Sequence, residues 1–336
     1  MVAKKYAFLF PGQGAQYPKM GLDLYEQSPR VRDLFALASD VAQMDMRKIL
    51  EEAPEEELKR TDLSQPLITL VNLSAAAVLR ERGIQPVACA GFSLGEYAAL
   101  VEAGVLSVED CFRLVVARGK AMQAVADRLT AEGASEAPSG GAAAGGVPSS
   151  SAGGAPGMMA VLGLPEEEVE RLIQRWQKEE SLPLYAANFN SPRQVVVAGT
   201  GAALSLAEER FKAAGARRVV RLKVAGPFHS PLVAEAQKAF GPLLDSVPFR
   251  DPVLPLFSNV TGSLVTTGAE ARALALRQIV ESVRWTREEA ELARLELDGV
   301  LEVGPDKVLQ GLWKDSGNAA PAFGAGTWAE IEAIEK

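Results

Sequence analysis

The chain is poor in the side chains that most often handle metals and protons. Among 336 residues there is one histidine, His229, and there are two cysteines, Cys89 and Cys111. A zinc site draws its ligands from such residues, and one imidazole with two separated thiols does not assemble one. No metal and no cofactor is implied. Two cysteines in apolar surroundings exclude a disulfide framework and read as buried free thiols in a reducing compartment. Positive charge is also short. Lys and Arg number 35 against 43 Asp and Glu, a net charge of −8, which argues against nucleic acid as a partner. No run of about 18 consecutive apolar residues appears, so no membrane span is expected. The basic start Met1–Lys5 leads into an apolar run broken at Pro11-Gly12, too short for a signal peptide. A cytoplasmic protein is the simplest expectation.

What is present is ordinary for a globular chain: 48% hydrophobic and 23% charged residues. The length suits two domains, or one large domain with an inserted piece. The stretch that organises the rest is Gly91-Phe92-Ser93-Leu94-Gly95. It follows the apolar run Pro86–Ala90 and precedes the helix-forming stretch Glu96–Ala103. Strand, tight turn and helix is the context of a nucleophile elbow, in which a serine hydroxyl stands at a helix start among unpaired backbone N–H groups. If an imidazole activates Ser93, the chain offers His229 alone.

Periodicity outlines the remaining elements. Tyr6–Phe10 reads as a strand running into the glycine-rich loop Pro11–Gln16. Leu22–Gln43 is helical, Arg47–Arg60 forms short helical pieces, and Ser64-Gln65-Pro66 punctuates the chain. From Leu67 to Arg82 apolar residues run nearly all round a helix, which predicts its burial. Val108–Arg128 is a further long helix. Ala131–Pro156 is almost wholly Gly, Ala, Ser and Pro, a composition that predicts a flexible surface loop. Met158–Val224 then reads β-α-β-β-α-β, the ferredoxin-like order. Strand and helix alternate again from Ala225, with strands at Leu254–Ser258 and Gly299–Val303 and helices at Leu232–Leu244, Glu270–Val283 and Lys307–Trp313.

The expected fold class is therefore α/β: an α/β-hydrolase-like core with a mainly parallel sheet, plus an inserted ferredoxin-like (βαββαβ) small domain. Residues 1–128 and 225–336 are expected to form the large domain. Residues 129–157 form the Gly/Ala/Pro-rich loop and 158–224 the small domain.

Several ordered segments then acquire a common meaning. They are Phe10-Pro11-Gly12-Gln13-Gly14-Ala15-Gln16, Gly91-Phe92-Ser93-Leu94-Gly95-Glu96, Ala117-Arg118-Gly119-Lys120, Asn188-Phe189-Asn190-Ser191-Pro192-Arg193-Gln194, Pro227-Phe228-His229-Ser230, Asn259-Val260-Thr261-Gly262 and Glu302-Val303-Gly304-Pro305. In this order and at these spacings they resemble the malonyl-CoA:acyl carrier protein transacylases and the acyltransferase domains of polyketide synthases. The resemblance covers nearly everything outside 131–156.

The resemblance implies a ping-pong transfer of malonyl from malonyl-CoA to an acyl carrier protein, in fatty-acid or polyketide synthesis. Ser93 would be the nucleophile. His229 would be general base and acid, its ring oriented by a main-chain or amide oxygen. Asn259 is a candidate for that orienting role. The backbone N–H groups of Gln13 and Leu94 would form the oxyanion hole. Arg118 would clamp the malonyl carboxylate through two parallel hydrogen bonds. Phe228 would crowd a 2-methyl group, and Gln65, in a Ser-Gln-Pro stretch, joins the substrate-binding candidates. Phe92 departs from the family, which usually carries histidine there. Asp306 departs too, because the family's usual Gly-Pro-Gly reads Gly-Pro-Asp here. The protein is expected to act as a monomer. An acidic carrier would dock on basic residues near the cleft between the domains; Arg193, Arg217, Arg218, Arg221 and Lys223 are candidates, and a merely solvated strand or loop face accounts for them equally well.

Three other readings compete. An acyl hydrolase of the same fold would not need Arg118. A plain α/β-hydrolase esterase would not need the ferredoxin-like insert. A non-catalytic carrier-binding protein would not need both Ser93 and His229.

Overall fold

The computed structural model describes residues 4–135 and 154–335. Its strands, in chain order, are β1 (Tyr6–Phe10), β2 (Pro86–Gly91), β3 (Gly157–Leu162), β4 (Leu184–Ser191), β5 (Gln194–Gly199), β6 (Arg218–Arg221), β7 (Phe257–Ser258), β8 (Ser263–Leu264), β9 (Gly299–Glu302) and β10 (Ala322–Gly324). Helices separate most of them, giving the expected mixed α/β architecture.

Contacts divide the chain into two compact units. The first comprises Met1–Lys120, Phe240–Leu276 and Arg284–Lys336, the second Ala121–Ala239 and Arg277–Val283. The division falls inside the helix Val108–Ser135 and after Ala239, not at the expected 128 and 224/225. Residues 225–239, with Phe228 and His229, therefore cluster with the second unit.

The first unit is built on a parallel sheet of order β10-β9-β1-β2. Every residue of β1 is buried, as a central parallel strand covered on both faces requires. The register pairs Phe10 with Gly91 and Leu9 with Glu302. The carboxyl ends of β1, β2 and β9 are thus level, which brings the Gln13 loop and the Ser93 elbow out at one edge, where open α/β sheets place their sites.

One helix of this unit is longer than expected. Helix Thr61–Glu81 begins before Ser64-Gln65-Pro66 and carries Pro66 inside it. It is buried from Ser64 to Leu79, as its all-round apolar pattern predicts. It is long and apolar enough to cross a membrane, but 89% of its most apolar window is buried inside the protein. The core of a large unit accounts for that composition. Cys89 and Cys111 are free and fully buried, and burial pushes both thiols above their ordinary pKa.

Other departures are local. The helix expected over Leu22–Gln43 breaks at Ser28, whose hydroxyl caps a second helix, Pro29–Ala42. Of the strand expected at Leu254–Ser258 only β7 is regular, with Leu256 bridging to Cys89. Trp285 opens a helix, Trp285–Ala293, that the sequence reading lacked.

The second unit holds an antiparallel sheet of order β4-β5-β3-β6. Helices Glu166–Glu180 and Gly201–Ala213 pack their apolar stripes on it, with Trp176, Phe211 and Val197 in its core. The helix Val108–Ser135 runs past Arg128, held by an Arg128–Glu132 ion pair and a Thr130-to-Ala126 hydrogen bond. The expected loop of 129–157 is thereby shortened at both ends, because Gly157 already opens β3. Its middle, residues 136–153, lies outside the described residues.

Candidate active site

The elbow forms because β2 ends at Gly91 and the helix Gly95–Glu102 starts only four residues later. Ser93 absorbs the reversal with a φ of 51°. Such a conformation is rare for a residue with a Cβ, and it concentrates at functional positions. The elbow is pressed against the loop that follows β1. Phe92 N–H donates to the Phe10 carbonyl at 2.9 Å. A Cβ on Gly95 would lie 1.9 Å from that same oxygen. A Cβ on Gly12 would lie 2.3 Å from the Phe92 carbonyl oxygen and 3.5 Å from the Leu94 nitrogen. Gln13 and Leu94, the two expected oxyanion donors, thus belong to neighbouring turns in van der Waals contact.

Beyond the loop, Gln13 Nε2 donates to Thr61 Oγ1 at 3.3 Å, at the start of helix Thr61–Glu81. Gly119 lets the helix Val108–Ser135 close on that same helix, since a Cβ there would meet the Thr61 carbonyl at 2.9 Å and Gln65 Cβ at 3.5 Å. Arg118 stands beside Gly119 and is only 1% exposed. Its guanidinium lies 5.5 Å from the ring centroid of Tyr97, on the elbow helix. Burial pulls its pKa below the ordinary arginine value, with Tyr97 and Glu96 acting the other way. Gln13, Gln65, Phe92, Ser93, Leu94 and the buried Arg118 therefore lie on contacting elements of the first unit.

Phe92 is half-buried and stacks edge-on against Trp285, centroids 5.4 Å apart. Trp285 is fully buried, and its indole N–H donates to Glu289 at 2.8 Å. Glu289 also accepts from the Ser316 hydroxyl. Burial raises the Glu289 pKa to about 8, against those two hydrogen bonds.

The chain matches the model of a family described as the acyl transferase domain over residues 7–182. It is 36% identical over 338 residues to the malonyl CoA-acyl carrier protein transacylase of Haemophilus influenzae, covering 99% of both proteins. The chain belongs to the acyl transferase family, among the malonyl CoA-acyl carrier protein transacylases.

A transacylase from Bacillus subtilis is 35% identical over 313 residues, covering 92% of this chain and 90% of its own. Two solved structures share the architecture. One is a type II polyketide-synthase acyl-carrier protein in complex with its malonyl-transacylase, with a TM-score of 0.85, 33% identity and 98% coverage of both chains. The other is an acyl carrier protein S-malonyltransferase from Vibrio cholerae, with a TM-score of 0.86 and 31% identity over 98% of this chain and 100% of that one.

In the second unit of this transacylase, His229 is buried and adopts a φ of 56°. Its Nδ1 lies 2.8 Å from the Gln278 carbonyl oxygen. A carbonyl only accepts, so Nδ1 carries the proton and Nε2 carries the lone pair of the neutral ring. Asn259 does not supply that oxygen. Its amide is engaged at the elbow, accepting from Ser93 N–H at 2.7 Å and donating to the Gly91 carbonyl at 2.7 Å and to Glu288 at 2.8 Å. The expectation that Asn259 orients the histidine is thereby corrected. Gln278 escaped the sequence reading because it acts through its main chain, which no side-chain pattern reveals.

Phe228 precedes His229 and is 5% exposed, its ring close to Gly226. Arg217, Arg218, Arg221 and Lys223 are exposed on and next to the edge strand β6, and Arg193 is exposed in the turn between β4 and β5. Arg193 Nη1 donates to the Gly163 carbonyl, and Arg221 bonds Ser205 and faces Glu208. At the other departure from the family, Asp306 does take a positive φ, 69°, and its side chain accepts from the next N–H.

Proposed function

We propose that this transacylase moves a malonyl group from malonyl-CoA to the phosphopantetheine thiol of an acyl carrier protein, by way of a malonyl-serine, in fatty-acid or polyketide synthesis. In the first half-reaction Ser93 Oγ attacks the thioester carbonyl while His229 Nε2 takes its proton. The tetrahedral oxyanion is held by the N–H groups of Gln13 and Leu94. The C–S bond then breaks and the imidazolium returns the proton to the departing CoA sulfur. In the second half the carrier thiol gives its proton to His229 and attacks the acyl-serine. The C–O bond breaks and Ser93 regains its proton.

The observation that carries the malonyl reading is the burial of Arg118 beside the elbow helix. The free carboxylate of malonate offers the planar, bidentate acceptor that a guanidinium recognises, and the Arg118 guanidinium is held 5.5 Å from the Tyr97 ring on that helix. Phe228 fits the exclusion of a 2-methyl branch, and Phe92 against Trp285 fits an apolar wall beside the acyl group. The proton held on Nδ1 of His229 supports its role as base through Nε2. The strand order β4-β5-β3-β6, with its two helices, supports a ferredoxin-like small domain over 158–224, and the parallel sheet with its elbow supports an α/β-hydrolase-like core. Exposed arginines around β6 support a docking face for an acidic carrier.

The test is a covalent adduct. Incubation with labelled malonyl-CoA should add one malonyl group to Ser93, lost in Ser93→Ala and discharged by carrier protein. Hydrolysis of the adduct faster than its transfer, or a preference for acetyl-CoA, would overturn the reading.

A further inference from the structure

Asn259 follows the two-residue strand β7 in a turn closed by Gly262 N–H on the Ser258 carbonyl, at 2.7 Å. Its side chain is wholly buried. The oxygen accepts from Ser93 N–H, and the nitrogen donates to the Gly91 carbonyl and to Glu288 Oε1. A single amide thus clasps the residues on either side of Phe92. Its own main chain is fixed in turn: N–H donates to Glu96 Oε2 at 3.3 Å, and the carbonyl accepts from Arg284 N–H at 2.8 Å.

Two physical demands meet in this arrangement. Ser93 holds a φ of 51°, a conformation that costs on the order of 1–3 kcal/mol and persists only where its surroundings over-determine it. The clasp supplies that constraint on both sides of the turn. The second demand concerns the oxyanion. A serine at an elbow could turn its own N–H toward the developing charge, but here that N–H is committed to Asn259. The free donor geometry of the turn then passes to Leu94, which heads the elbow helix. The orientation of the amide is fixed as well, because two acceptors, Gly91 and Glu288, face its nitrogen.

We infer that Asn259 is a positioning residue for the nucleophile. Bridging Gly91 and Ser93, it locks the elbow in its left-handed conformation, and Glu288 keys its amide. This rests on Ser93 being the nucleophile.

The test separates the two ideas by using an uncharged sulfonyl fluoride, which labels an activated serine without needing Arg118 or a carrier. Labelling of the wild-type enzyme at Ser93 upholds the nucleophile, and no labelling removes the reading on which the inference rests. In Asn259→Ala, both the labelling rate and the single-turnover acylation rate from malonyl-CoA should fall roughly 10- to 100-fold, the loss expected for a misplaced reacting group. The KM for malonyl-CoA should stay within about two-fold, since Arg118 is untouched. Wild-type labelling in a folded Asn259→Ala would overturn the inference. Asn259→Asp covers the case in which alanine does not fold. It keeps the size but cannot donate to Gly91 and Glu288 as a carboxylate, so it should label slowly, and wild-type labelling there is equally fatal. Glu288→Gln, which keeps an acceptor for Asn259, should retain more of the acylation rate than Glu288→Ala; equal losses would remove Glu288 from the proposal.

Discussion

The Gln278 carbonyl oxygen lies 2.8 Å from Nδ1 of His229. The oxygen that orients the imidazole therefore belongs to the main chain. His229→Ala should lower malonyl transfer by about 10²- to 10⁴-fold, the ordinary worth of a positioned general base. Gln278→Ala keeps the carbonyl and should cost far less. Steady-state transfer to carrier protein measures both, and equal losses would mean that the Gln278 side chain matters instead.

Arg118→Ala should lower kcat/KM for malonyl-CoA by roughly 30- to 1,000-fold, as losing one partner of a buried charge pair does. Acetyl-CoA has no carboxylate to lose, so its kcat/KM should change much less. Arg118→Lys should not restore the wild-type preference, because an ammonium cannot grip both carboxylate oxygens in a plane. Competition between labelled malonyl-CoA and acetyl-CoA reads the ratio; an equal loss for both substrates would refute the clamp.

Reversing charge at Arg217 and Arg218 should raise the KM for carrier protein and leave that for malonyl-CoA unchanged. Both residues are exposed beside the edge strand β6, so folding should tolerate the change. The effect should shrink as salt rises, since surface charges are screened within about 8 Å at physiological ionic strength. Carrier kinetics that do not respond would move the docking face elsewhere.

Glu289 links stability to pH. Its folded pKa is raised to about 8 from 4.5, chiefly by burial. Below 4.5 both folded and unfolded forms hold the proton. Between 4.5 and 8 the unfolded chain releases it while the folded one keeps it, so stability falls as pH rises through that window, by an amount on the order of a few kcal/mol. Glu289→Gln preserves an acceptor for Trp285 and removes the titration. The melting temperature of the wild type, relative to Glu289→Gln, should therefore drop between pH 5 and pH 8. A constant difference would show that Glu289 does not titrate there.

Much of this was legible before any coordinates. The elbow, the single histidine and the order of motifs led to the acyl transferase family, and the strand-helix alternation led to a parallel sheet. What escaped was held by groups without a side-chain signature. Pro66 looked like punctuation, yet helix Thr61–Glu81 runs through it, because burial on all sides outweighs one missing backbone hydrogen bond. Asn259 is legible by residue type but not by partner: an amide fits a histidine or an elbow equally well, and only the pairing of Leu256, just before β7, with Cys89 of β2 decides between them. Phe92 looked like a lost polar group. Its edge-on contact with Trp285 shows what replaced it.

Phe10 and Gly95 leave no space between them: the oxygen of one occupies the place where a side chain on the other would begin. The elbow that carries Ser93 is thus mounted on an absence as much as on any residue. A saturation library scored for growth should tolerate position 95 no better than position 93, and the vacancy should be inherited as strictly as the serine.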